Sequence, residues 1–336
     1  MKAPICRLVL PSVIVALGLV AGSAEDDNPL AKKHLQFLQS RLDHKDDQIR
    51  CYALDALAVH DPASQMPRLK AGIHDASYLV RFVALKHLRG HADQETLAKV
   101  KQVAEESAPK AENEEDGSNF ASTESMALAV LVASGDAKAR TFAIERLRTV
   151  LGSDDTPRSR WVFMSDVAVD NELKELLPVV KKAKAERRER VVWVSAILGD
   201  ADAIKEIREA MRSDKEWVLS SLAFDRRARE VLGIEVKELR ERVRSHSFEE
   251  ATDKHIFLAY LGEHEEFLKD LASIRTFAPH VQVRILSAAD NIGDERCLKS
   301  LDEFLADSRD ESLQATCSTA FVKISARLRK ACSDGN

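Results

Sequence analysis

One pattern constrains this chain more than any other: it repeats itself at about 31 residues. A run of the form apolar, Arg, two residues, Ala, three residues, Leu appears as Ile49-Arg50-Cys51-Tyr52-Ala53 through Leu57. It recurs 31 residues later as Val80-Arg81-Phe82-Val83-Ala84 through Leu88. A third copy, Val283-Arg284-Ile285-Leu286-Ser287, lies near the C-terminus, and Gly293 follows Arg284 by nine residues as Gly90 follows Arg81 and Gly199 follows Arg190. Glycines at 90, 135, 199, 233, 262 and 293 mark the units. The long gap from Gly135 to Gly199 holds one further unit, marked by Arg160, and the gap from Gly90 to Gly135 is lengthened by the fourteen residues 105–118. A fixed short period means one supersecondary unit that buries its apolar side only against its neighbours.

The unit reads as two short helices. Ala143, Leu147, Val150 and Leu151 fall on one helical stripe, as do Leu298, Leu301, Phe304 and Leu305, with charged residues on the opposite sides. Gly135-Asp136, Gly199-Asp200 and Gly293-Asp294 each supply a Gly to end one helix in the left-handed region and an Asp to cap the next. Asp61-Pro62 starts a helix with proline where no amide donor is lost. With only 12 Gly and 9 Pro in 336 residues, a loop-rich sandwich or a low-complexity chain is excluded. The charges, 50 basic against 55 acidic, create no general field for nucleic acid or an anionic bilayer.

The first 24 residues read as a secretory signal. Lys2 and Arg7 precede an apolar run from Leu8 to Val20, and Gly22 and Ala24 suit cleavage before Glu25. Thirteen residues are too few for a comfortable membrane span, which takes about 20. The mature chain then carries 48 basic and 55 acidic residues, a net of −7, and holds no second spanning segment. The expected location is outside the cytosol, periplasmic or extracellular. Export permits disulfides among Cys51, Cys297, Cys317 and Cys332. Two readings stand: buried free thiols, or a bridge between Cys297 and Cys317, which flank the turn near Ser308 at similar distances.

These features resemble HEAT repeats, in particular the short variety of phycobilisome-lyase-type repeat proteins, over roughly residues 30–325. The apolar-Arg-x-x-Ala runs and the Gly-Asp pairs carry the resemblance. It implies an all-α solenoid, a superhelix of about eight helix pairs. It also implies a ladder in which an Asp in the inter-helix turn meets an Arg six residues later. Asp75 and Arg81 have that spacing, whereas His44 and Ala278 stand before Arg50 and Arg284.

Local signatures of catalysis are missing. No GxGxxG, GxxxxGK[ST] or GxSxG occurs. His87 and His91 have a metal-ligand spacing, but Gly90 between them ends the helix, so they read as polar residues at a turn. His264-Glu265 is a single His-Glu pair, where the HEAT-like iron hydroxylases use several. The stretch 105–118, with six acids against Lys110, reads as a solvated loop insertion; docking of a basic partner or loose calcium binding are its functional alternatives. Residues 181–190 hold six basic side chains and read as a solvated corner, the functional alternative being a grip on an anionic polymer. Trp161, Trp193 and Trp217 read as core. Arg50, Arg81, Arg160, Arg190 and Arg284, recurring once per unit, are expected to bond a turn or a neighbouring repeat.

The expectation is therefore a signal peptide over 1–24 and one repeat body over 25–336 with an acidic loop at 105–118 and a short C-terminal tail. That body is expected to be a non-catalytic scaffold, without cofactor or metal, binding a protein or peptide on a concave helical face. It should bind no nucleic acid and span no membrane. The alternative is an enzyme or a lyase-like accessory acting on a modified protein.

Overall fold

The computed structural model describes residues 29–106 and 114–334, so the expected signal segment lies outside the described residues. Nineteen α-helices follow one another, and no strand occurs among the described residues. They are α1 (Pro29–Gln39), α2 (Asp47–His60), α3 (Pro62–Gly72), α4 (Tyr78–Leu88), α5 (Gln94–Glu105), α6 (Glu114–Ala133) and α7 (Ala137–Gly152). Then come α8 (Arg158–Asp170), α9 (Leu177–Val180), α10 (Arg188–Ile197), α11 (Ala201–Arg212), α12 (Glu216–Phe224) and α13 (Arg226–Leu232). The last are α14 (Val236–Ser245), α15 (Ala251–Tyr260), α16 (Glu265–Ala272), α17 (Pro279–Ile292), α18 (Glu295–Asp307) and α19 (Glu311–Asp334). The runs at Val80 and Val283 are both helical, in α4 and α17.

Asp caps set the starts. Asp61, Asp136 and Asp200 each accept a hydrogen bond from the amide three residues on, and Asp294 accepts from that of Arg296. Gly90, Gly135, Gly199, Gly233 and Gly262 take positive φ, the conformation that closes a helix at little cost only for glycine. Gly293 departs from the expectation: its φ is −62°. A Cβ there would lie 2.4 Å from the Ala289 carbonyl oxygen and 2.6 Å from Ile324 Cδ1. Close approach to α19, not handedness, requires glycine at this place.

The helices pair as the period demands. First helices (α1, α3, α5, α7, α9, α11, α14, α16, α18) alternate with second helices (α2, α4, α6, α8, α10, α12 with α13, α15, α17, α19). Each second helix packs on the second helix of the next pair. That makes nine pairs where about eight were expected, because α9 is a four-residue helix between two 3-10 turns and has almost no stripe of its own. Within the stretch 105–118, Glu105 ends α5 and α6 begins at Glu114.

The first and last pairs of the described chain meet. α19 packs on α2 as closely as any neighbouring pair in the chain, and α1 packs on α19. The contact repeats the parallel register seen elsewhere. Thr319 Oγ1 donates to the Tyr52 carbonyl at 3.1 Å, Lys323 meets Asp55, and Lys33 of α1 reaches Asp302 of α18 at 2.5 Å. The circuit of pairs is thus closed, like a ring. Its tightest members are α6, buried on every side over 123–132, and α19, buried likewise over 315–324. A helix in that state must have neighbours all round. Along these two helices no concave groove is open.

Candidate functional site

The strongest concentration of buried charge lies where the ring closes. Asp55 of α2 is 8% exposed and Lys323 of α19 is 9% exposed, and they form an ion pair. Asp55 Oδ1 also takes Lys86 Nζ at 2.9 Å and His87 Nε2 at 2.7 Å, both from α4. Lys323 Nζ continues to Asp290 Oδ2 of α17 at 2.9 Å. Arg327, one turn on, donates to the carbonyl of Gly293 at 3.0 Å. Four second helices, two from each end of the chain, are stitched together.

The electrostatics follow from burial and partners. Burial alone would raise the Asp55 carboxyl, but Lys323, Lys86 and His87 outweigh it and hold it well below the usual carboxylate range. Burial would likewise lower the Lys323 ammonium, yet Asp55 and Asp290 push it up. Cys51, one turn before Asp55, is pushed up to about 12 by burial and then by that carboxylate, which leaves it a poor nucleophile. The Tyr260 hydroxyl rises through burial and Asp290.

The repeated arginines serve turns and neighbouring pairs. Arg50 Nη1 donates to the His44 carbonyl at 2.8 Å, and Arg81 Nε donates to the Asp75 carbonyl at 2.5 Å. The partner six residues back is therefore a main-chain oxygen, which is why His44 can stand where the ladder pattern has Asp. The Asp75 carboxylate instead accepts from the Ser77 amide at 2.8 Å and lies 3.5 Å from Arg50 of the preceding pair. Arg160 grips Glu124 of α6 with two bonds of 2.7 Å, and Arg146 adds a third contact at 3.1 Å; the Glu124 side chain has no exposure. Arg190 pairs with Asp166, and burial lowers its guanidinium to about 10. Arg284 bonds Glu250 at 3.0 Å and pairs with Asp253.

The other sequence candidates are placed as follows. In the basic stretch, Lys181 pairs with Asp200 at 2.6 Å and Arg188 with Glu206 at 3.2 Å. Arg187 turns inward over the Trp161 ring to the Thr156 carbonyl. Lys182 joins Arg148, Asp154 and Val179 around a depression of about 240 Å³. Trp161 is wholly buried with Nε1 bonded to the Leu151 carbonyl, and Trp193 packs edge-on against Trp217. His87 is engaged by Asp55, His91 is exposed, and no cluster of three metal-type ligands occurs among the described residues. His255 of α15 bonds Asp270 of α16 at 2.7 Å.

Cys297 and Cys317 are both buried free thiols in this structure. The register of α18 on α19 sets the Cys317 thiol against the Leu301 carbonyl at 3.0 Å, four residues (about 6 Å of helix) from Cys297. Burial raises both thiols.

Sequence reading missed Asp55, Asp290 and Lys323. The available signal was a charge inside an apolar run, Leu54-Asp55-Ala56-Leu57 and Phe321-Val322-Lys323-Ile324. It also missed a second recurring device: Arg208 of α11 donates to the Leu232 carbonyl and Arg240 of α14 to the Leu261 carbonyl, each closing the last turn of the second helix of its own pair. No helix among the described residues is long and apolar enough to cross a membrane. No protein-family model matches the chain, and no curated protein matches it.

Proposed function

We propose that this chain is an exported, non-catalytic scaffold of HEAT-like helix pairs, a solenoid curved until its ends meet, that binds a protein or peptide partner. One observation carries the reading: the side chains able to do acid–base or nucleophilic chemistry on the second helices are spent on one another. Asp55 holds two lysines and a histidine, Lys323 bridges two acids, and the Cys51 thiol is pushed up to about 12. Such groups rigidify a frame and leave recognition to the outer helices and the ring's two ends, where charges of both signs are exposed. Affinity then comes from contacts spread over several pairs.

The test is capture of the chain beginning at Glu25 from its native extract, followed by cross-link mapping through exposed lysines such as Lys205, Lys237 and Lys299. A partner recovered in fixed ratio, with cross-links to more than one helix pair, supports the proposal. Recovery of a partner whose covalent structure is changed in a manner abolished by His87→Gln would replace it with the lyase-like reading.

A further inference from the structure

We infer that α1 is an acid-released latch: attached at neutral pH, it detaches from the ring as a unit on acidification while the remaining pairs stay folded. The helix is eleven residues long and buries only Ala31, His34 and Leu38. It thus rests on one imidazole to an unusual degree. His34 is fully buried and stacks on Phe321 of α19 at 3.9 Å between ring centroids. Its Nδ1 meets Ser318 Oγ at 3.1 Å, and its Nε2 is buried without a hydrogen-bond partner.

A proton added to that ring meets one carboxylate, already engaged, and otherwise poor company. From α19 come a hydroxyl and a phenyl ring. From α2 come Ala53, Ala56 and Leu57, which share an apolar cluster with Leu38. From α18 comes Asp302, whose Oδ1 is 3.5 Å from Nε2 but already held by Lys33 of α1 at 2.5 Å. Burial and then Lys33 oppose Asp302 and depress the imidazole to about 4 from an ordinary 6.5, burial being the largest cause. The detached helix takes up a proton at the ordinary value, so the attached state loses ground as pH falls from 6.5 to 4. Two contacts at the far end resist: Glu311 holds Arg41 at 3.1 Å and His44 at 3.2 Å. Release therefore stops before His44, and α2 keeps its hold on α19.

Hydrogen exchange of the full chain, corrected for the intrinsic pH dependence of amide exchange, reads this directly. The opening equilibrium of residues 29–39 should rise about 20-fold between pH 7 and pH 5, with α4 and α6 unchanged. His34→Gln, or His34→Phe if the first variant does not fold, should flatten that dependence. A change under about threefold in the wild-type chain overturns the inference. So does loss of protection in α1, α4 and α6 together, or full pH dependence in the variant.

Discussion

Replacing Lys323 by Met removes the one cation that lies between Asp55 and Asp290 and leaves two buried carboxylates facing each other across the seam. Breaking a buried pair from one side costs about 3–5 kcal/mol, because the remaining charge keeps its desolvation cost without its partner. Asp55 retains Lys86 and His87, and Asp290 still feels Arg327, so the lower end applies, about 3 kcal/mol. In a chain of this size that corresponds to a fall of about 6 °C in melting temperature, followed by far-UV circular dichroism. The triple variant Asp55→Asn, Lys323→Met, Asp290→Asn removes the orphaned charges and should recover most of the loss. If Lys323→Met melts within about 1 °C of wild type, or the triple variant is no better than the single one, the seam is not held by this network.

Further outcomes follow from the same structure. Stability contributed by the seam should be present from about pH 4 to about pH 10.5. Asp55, depressed in the fold, loses its contribution as pH falls below the ordinary carboxylate value, and Lys323, raised in the fold, loses its own as pH climbs past the ordinary ammonium value; denaturant titration across pH measures both. Gly293→Ala should cost about 2–3 kcal/mol, since the added methyl meets Ile324, whereas Gly135→Ala meets nothing within 4 Å and should cost about 1 kcal/mol of left-handed strain; paired urea melts compare them. In the folded chain beginning at Glu25, a thiol reagent should label Cys332 rapidly and leave Cys51, Cys297 and Cys317 protected with or without reductant; a reductant-dependent gain of two thiols would show a Cys297–Cys317 bridge instead.

Much of the local architecture was legible because it is written in neighbouring residues. The stripe of α18, the caps at Asp136, Asp200 and Asp294, and the positive-φ glycines at 90, 135 and 199 all depend on contacts within a few positions. The ring closure was not, because Tyr52 and Thr319 are 267 residues apart and no spacing rule reaches that far. The count of pairs was blurred where α9 shortens to one turn and where α12 and α13 divide a single second helix. The seam charges were hidden for a different reason: Asp55 and Lys323 look like surface positions of amphipathic helices until a helix from the other end of the chain covers them.

The distance between the two ends is the decisive quantity. Spin labels at Lys32 and Glu303, exposed neighbours of the Lys33–Asp302 pair, placed in a chain with Cys332 replaced by Ser, report it by pulsed electron resonance. The closed ring predicts a single distance under about 25 Å, a salt bridge plus two label arms. Nine pairs laid along an open arc at about 8–10 Å each would separate the labels by more than about 50 Å, and that result would contradict the account.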